Sequence, residues 1–143
     1  QFDTFMGTQL TLALVLSVWA CDSAAFIFGT KFGSAKIFPR VSPNKSWVGS
    51  IAGLIASMSV FYLFYHQEWL GNYFSLKDTI IFGFIAGVFG QIGDFAESLL
   101  KRDANVKDSG TILQGHGGVL DRFDSLIFAT PITYLYVHFL MNF

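Results

Sequence analysis

An all-α, polytopic membrane helical bundle of about four transmembrane helices is the fold class this sequence predicts, and three observations predict it. Hydrophobic residues make up 52% and aromatics 17% of the 143 residues, while only 13% are charged, about half the ~25% typical of a soluble domain. Histidine aside, residues 4–21, 46–67, 79–93 and 125–143 contain no charged side chain, and such lengths compare with the roughly 17–25 residues that cross a bilayer as helix. The charges are gathered between these runs, ten of the 19 falling within the 31 residues from Asp94 to Asp124.

The first run is followed by Asp22-Ser23 and then by a basic loop carrying Lys31, Lys36, Arg40 and Lys45 with no acid. The loop closes with Ser42-Pro43-Asn44-Lys45-Ser46, where Ser42 reads as a helix cap and Pro43 as a first helical position of the second membrane helix. A short mixed loop (Glu68, Lys77, Asp78) separates the second and third helices. The third run is short, but its pattern continues through Gln91, Ile92, Gly93 and Asp94, so this helix carries a carboxylate to the membrane surface. The long charged stretch to Arg122 precedes the fourth helix. Two crossings separate the two basic loops, so both lie on one side, and their excess of Lys and Arg assigns that side to the cytoplasm.

Residues 1–143 read as a single membrane-embedded catalytic domain, without a second soluble domain, a low-complexity tract or a solenoid repeat. The chain starts at Gln1, and no positive flank precedes its first apolar run, which argues against a signal peptide; a fragment beginning mid-protein is expected. The formal net charge of −1 and the lack of a basic run interleaved with aromatics exclude nucleic acid as a partner. Membrane lipids are the implied partners. Cys21 is the sole cysteine, so it forms no internal disulfide and reads as a packing residue.

Chemistry is therefore expected at the helix ends. Asp94, Glu97, Ser98, Lys101 and Arg102 follow the spacing i, i+3, i+4, i+7, i+8, which puts them along one helical face as a polar stripe leaving the membrane. Glu97 and Lys101 alone make an ordinary i, i+4 pair. Ionisable groups within a membrane segment are functional by default, however. Gly117-Gly118, beside His116, let backbone approach a ligand closely, and Asp121, Asp124 and Ser125 then recur at i, i+3 and i+4. Acids are favoured at a helix N-terminus for electrostatic reasons alone. Two of them facing Asp94 also suit a hard divalent cation such as Mg²⁺, held by one or two carboxylates with waters and substrate phosphates. Asp94 and Asp121 are the expected metal clamp, with Asp124 in support. His116 reads equally as a turn residue. Ser42, Lys45 and Ser46, at the expected start of a helix, offer hydroxyls, N–H groups and an ammonium to phosphate.

Together these residues carry a family resemblance. The run Ser98-Leu99-Leu100-Lys101-Arg102, then Lys107-Asp108-Ser109-Gly110, then Gly115-His116-Gly117-Gly118-Val119-Leu120-Asp121-Arg122-Phe123-Asp124 resembles the signature of the phosphatidate cytidylyltransferases. Asp22-Ser23-Ala24-Ala25-Phe26, Phe28-Gly29, Lys31-Phe32-Gly33 and Ser42-Pro43-Asn44-Lys45-Ser46-Trp47 resemble an upstream block of the same family. Two positions depart from the pattern: Val48, where members often carry Glu or Gln, and Gln114, where Pro is usual.

The resemblance implies that phosphatidic acid attacks the α-phosphorus of CTP, giving CDP-diacylglycerol and pyrophosphate. It implies Mg²⁺, with room for K⁺ in a paired site, and it suggests a homodimer. The catalytic set it carries over comprises Asp94, Asp121, Lys101, Arg102, Lys107, Asp108, His116 and Arg122. Asp22, Ser23, Ser42, Lys45, Ser46, Ser98, Gly117 and Gly118 form the substrate-binding set, and Asp94, Asp121 and Asp124 the metal set. A bacterial inner membrane, with the site facing the cytoplasm, is the expected location. A related CTP-dependent lipid kinase, an ether-lipid cytidylyltransferase, a transporter and an inactive remnant are the alternatives.

Overall fold

The computed structural model describes residues 4–106 and 120–140, with backbone alone for Leu120, Asp121, Arg122 and Leu140. The elements run α1 (Thr4–Phe32), β1 (Lys36–Phe38), β2 (Ser42–Ser46), α2 (Trp47–His66), a 3-10 turn (Gly71–Tyr73), α3 (Leu76–Asp103) and α4 (Leu120–Leu135), which continues as a π-helical turn (Tyr136–Leu140). The helical class expected from composition holds. Among the described residues one element departs from it, the antiparallel hairpin in which Lys36 pairs with Ser46 and Phe38 with Ser42.

α1, α2 and α3 are each long enough, and over an 18-residue stretch apolar enough, to cross a membrane. Large side chains such as Leu12, Trp19, Ile51, Ile55, Leu63, Ile80 and Phe84 are exposed along them. In water that surface would be unfavourable; against lipid it is the ordinary exterior of a bundle whose backbone bonds are closed within each helix. The chain is accordingly an integral membrane protein.

Helix α1 is longer than its charge-free run. Its 29 residues rise about 44 Å, well beyond the roughly 30 Å hydrocarbon core. Asp22 and Ser23 therefore do not open a loop, and the helix continues through Lys31 until Gly33 N–H closes onto Gly29 O at 3.1 Å. A lone carboxylate at the interface does not break a helix; glycine ends this one. The expected start of α2 is also corrected. Ser42 and Pro43 belong to β2, and Ser46 is the cap, its Oγ accepting from Gly49 N–H at 3.2 Å. Proline suits a two-stranded hairpin because both strands are edges, where an outward N–H needs no partner.

Close backbone approach sets the packing. On α2, Gly49, Gly53 and Ser57 are buried at i, i+4 and i+8, a small-residue face of the kind that lets membrane helices meet. A Cβ added at Gly49 would lie 2.5 Å from Ala25 O of α1. Ser57 Oγ donates to Gly83 O of α3 at 2.9 Å. At the end of the bundle opposite the hairpin, Phe82 packs edge-on against Phe74 and Tyr136, with centroids 5.0 and 5.3 Å away. There Ser75 caps α3 through a reciprocal capping box with Asp78, and Tyr136 Oη donates to Asp78 Oδ1 at 2.8 Å. Those contacts fix one end of α3; the other end is left to carry the site.

Candidate active site

At the hairpin end of the bundle, the polar stripe of α3 meets the first turns of α4. Asp94, Glu97 and Asp124 each present a carboxylate oxygen, and the three atoms lie within 4.8 Å of one another. Glu97 is buried, at 5% exposure, and its Oε2 lies 3.3 Å from Lys101 Nζ. Asp124 Oδ1 accepts from Ser125 N–H at 2.7 Å. Backbone contact between α3 and α4 makes this convergence possible, because Gly93 has no side chain to hold the Asp124 carbonyl away.

The hairpin folds over the same face of α3 and is held at three points. Lys45 forms an ion pair with Asp94, and its Nζ also lies 4.1 Å from the centroid of the Phe95 ring, within cation–π range. Phe38 meets Phe95 edge-on at 5.6 Å. Arg102 Nε donates to Val41 O at 3.3 Å, reaching the hairpin turn. Beneath the hairpin lies a cavity of about 200 Å³ whose lining includes Asp22 of α1, Ser42, Lys45 and Ser46 of β2, and Gln91 and Asp94 of α3.

Several expected site residues thus converge: Asp94, Asp124, Asp22, Ser42, Lys45 and Ser46, with Lys101 and Arg102 on the same stripe. Others do not take the places foreseen for them. Ser23 is exposed on α1 and is not among the residues lining the cavity. Ser98 Oγ donates to Asp94 O at 2.8 Å, a bond within its own helix. Ser46 lines the cavity while its Oγ is engaged as the α2 cap. Lys107, Asp108, His116, Gly117 and Gly118 lie outside the described residues, as do the side chains of Asp121 and Arg122. Glu97 enters the carboxylate group although sequence alone reads it as the partner of Lys101. Its i, i+3 spacing from Asp94 was the available signal. Gln91, Asn44 and Ser50 also line the cavity without having stood out in the sequence.

An acidic cluster flanked by Lys45, Lys101 and Arg102 at the end of apolar helices suits a membrane enzyme that handles phosphates with a divalent cation. The particular family follows from comparison: the sequence model of the cytidylyltransferase family matches residues 2–140, and this chain belongs to that family. Among its relatives is the phosphatidate cytidylyltransferase of Haemophilus influenzae, 42% identical over 140 residues that cover 94% of this chain and 48% of that protein. The phosphatidate cytidylyltransferase of Staphylococcus haemolyticus is 46% identical over 128 residues, covering 88% of this chain and 48% of that protein. The chain spans about half the length of the curated relatives it matches.

Proposed function

We propose that this chain forms the catalytic part of a phosphatidate cytidylyltransferase, transferring the cytidylyl group of CTP to phosphatidate with release of pyrophosphate. The observation that carries this reading is the meeting of Asp94, Glu97 and Asp124 beside Lys45 and a cavity lined in part by Asp22, Ser42 and Asn44, in a chain of the cytidylyltransferase family.

The donor set suits Mg²⁺. Metal–oxygen bonds of about 2.0–2.1 Å put two opposite ligands roughly 4.2 Å apart, and oxygens within 4.8 Å of one another reach that spacing by small side-chain rotations. Asp94, Glu97 and Asp124 would hold the ion, with Asp121 as a further ligand. When bound, it supplies positive charge to the phosphates brought together and to the departing pyrophosphate.

A phosphate oxygen of phosphatidate forms a bond to the α-phosphorus of CTP while the bond from that phosphorus to the pyrophosphate oxygen breaks. The nucleophile is already ionised near neutral pH, so no strong general base is required. Positioning and charge neutralisation dominate such transfers. Lys45 on the hairpin contacts the triphosphate, and Arg102 and Lys101 contact phosphate of either substrate. Ser42 and Asp22 line the space into which the nucleotide enters.

We assign four spans. The 16 residues of α4 and the five of its π turn together rise about 30 Å, close to the core thickness. The basic hairpin then faces the cytoplasm with the site, where soluble CTP meets a lipid that stays in the bilayer. The test is formation of CDP-diacylglycerol and pyrophosphate from CTP and phosphatidate in Mg²⁺-containing mixed micelles, compared with Asp94→Asn. Product that depends on Asp94 supports the reading. Release of CDP and a phosphorylated lipid instead would make the protein a lipid kinase.

A further inference from the structure

Gln91 lies on α3 three residues before Asp94, one helical turn deeper on the same side. Its amide nitrogen donates in two directions, to Ser50 O of α2 at 3.0 Å and to Cys21 Sγ of α1 at 3.6 Å. A backbone carbonyl only accepts, so the nitrogen and not the oxygen of the Gln91 amide faces Ser50. Cys21 is 1% exposed and itself reaches back to Gly87 O of α3 at 3.9 Å. One side chain thus ties α1, α2 and α3 together in a single layer.

That layer is the floor of the cavity. Gln91 and Ser50 line it with Asp22 and Asp94, and Cys21 is the residue immediately before Asp22. Each tied element carries a group of the site a few residues away: α1 carries Asp22, the start of α2 follows Lys45 and Ser46, and α3 carries Asp94. The neighbouring contacts between α1 and α2 are glycines against backbone and small side chains, Gly49 on Ala25 O and Gly53 on Cys21 and Ala25, which set how close the helices come but resist sliding along their axes poorly. A hydrogen bond aimed at one carbonyl resists sliding directly.

We infer that Gln91 is a positioning residue for the proposed cytidylyl transfer, fixing the axial register of α1 and α2 against α3 so that Asp22, Lys45 and Asp94 meet around one substrate. The inference rests on the function proposed above. Gln91 is not among the carboxylates of the cluster and its amide nitrogen is engaged by Ser50 and Cys21, so it acts through the register of the helices, with an effect on metal use and turnover that packing alone does not produce.

The experiment compares wild type, Gln91→Met and Cys21→Ala in detergent. Methionine keeps the length and bulk of glutamine and removes both donors. Four quantities are measured: kcat and KM for CDP-diacylglycerol formation, the Mg²⁺ concentration giving half-maximal activity, and the rate at which Cys21 reacts with a small maleimide. For Gln91→Met the expected result is a roughly tenfold fall in kcat, a several-fold rise in the Mg²⁺ requirement, an unchanged KM for phosphatidate and faster Cys21 labelling. Cys21→Ala, which removes one acceptor, shifts kcat and Mg²⁺ requirement in the same direction by less. A Gln91→Met protein with wild-type kcat and Mg²⁺ requirement overturns the inference. Should Gln91→Met fail to fold, Cys21→Ala decides, and wild-type Mg²⁺ requirement there overturns it equally. Absence of CDP-diacylglycerol from wild type would count against the proposed function instead, and unchanged Cys21 labelling in Gln91→Met would still count against the tie.

Discussion

A Cβ placed on Gly93 would lie 2.5 Å from the carbonyl oxygen of Asp124 and 3.1 Å from Ser125 Cα, so α3 and α4 touch backbone to backbone beside the carboxylates. Both neighbours there are main chain and cannot swing aside. Gly93→Ala must therefore separate the helices, and with them Asp94 and Asp124. The expected outcome is a loss of about 1–3 kcal/mol in stability, as for overpacking generally, with at least a tenfold fall in turnover because the carboxylates no longer share one centre. Thermal unfolding in detergent, beside the CDP-diacylglycerol assay, checks both.

The carboxylates themselves give a graded prediction. Asp94 has oxygens in contact with the cluster and with Lys45, so Asp94→Asn removes charge from two interactions and lowers kcat by about 10²-fold or more. Asp124→Asn produces a loss of similar size. Glu97 shares its charge with Lys101, and Glu97→Gln is expected to raise the Mg²⁺ requirement more than it lowers kcat at saturating Mg²⁺. Chelation with EDTA is expected to abolish activity, and added Mg²⁺ to restore it. Titrating Mg²⁺ against each variant separates these effects, and a Glu97→Gln protein with unchanged Mg²⁺ dependence would remove Glu97 from the metal set.

Which parts of this arrangement were legible in the sequence follows from how local each interaction is. Crossing a membrane depends on length and composition, so the charge-free runs marked α1, α2 and α3. The end of α1 was not marked, because a helix leaving the bilayer can carry charge, and Asp22 reads the same on either side of a helix boundary. The hairpin escaped notice because its contacts are tertiary: Lys45 reaches Asp94, Phe38 reaches Phe95 and Arg102 reaches Val41. Asp94 and Asp124 stood out as acids at the ends of apolar runs. Glu97 did not, since its local pairing with Lys101 accounts for it until α4 arrives. Gln91 is one uncharged residue in an apolar helix, and only its partners on two other helices give it meaning.

Lys45 offers a test of the substrate-facing side. It reaches the site from a two-stranded hairpin and is held by Asp94 and the face of Phe95, so removing its charge disturbs the nucleotide contact more than the fold. A charge-assisted contact to phosphate contributes roughly 1.5–3 kcal/mol. Lys45→Ala should therefore raise KM for CTP about 10- to 100-fold, with KM for phosphatidate little changed. Lys45→Arg should recover only part of this, because a planar guanidinium cannot occupy the place of a compact ammonium against both Asp94 and Phe95. A rise in KM for phosphatidate with KM for CTP little changed would reassign Lys45 to the lipid.

The opposite end of the bundle predicts stability without a change in chemistry. Asp78 accepts from Ser75 N–H at 2.9 Å and from Tyr136 Oη at 2.8 Å, joining the start of α3 to the π turn after α4. Tyr136→Phe removes one of these bonds while keeping the ring that packs on Phe82, and is expected to cost about 1 kcal/mol. Ser75→Ala removes the cap and costs about as much. Neither residue approaches Asp94, so turnover per folded molecule should stay at the wild-type value. Loss of activity in proportion to loss of folded protein fits this account, whereas a fall in kcat for the folded fraction would mean that the two ends of α3 are coupled.

Topology gives the last prediction, and it discriminates between helix counts. The hairpin and the end of α3 are joined through Lys45 to Asp94 and Arg102 to Val41, so the proposed topology puts them on one side of the membrane, with α2 and α3 crossing away and back between them. The turn at Gly71–Tyr73 then lies on the other side. Single cysteines at Arg40 and at Asn105 should react with an impermeant maleimide from the same, cytoplasmic face, and a cysteine at Asn72 only from the opposite face. Native Cys21, 1% exposed, contributes little background. If Arg40 and Asn105 labelled from opposite faces, either α2 or α3 would not span the membrane, and Lys45 could not serve the site that Asp94 anchors.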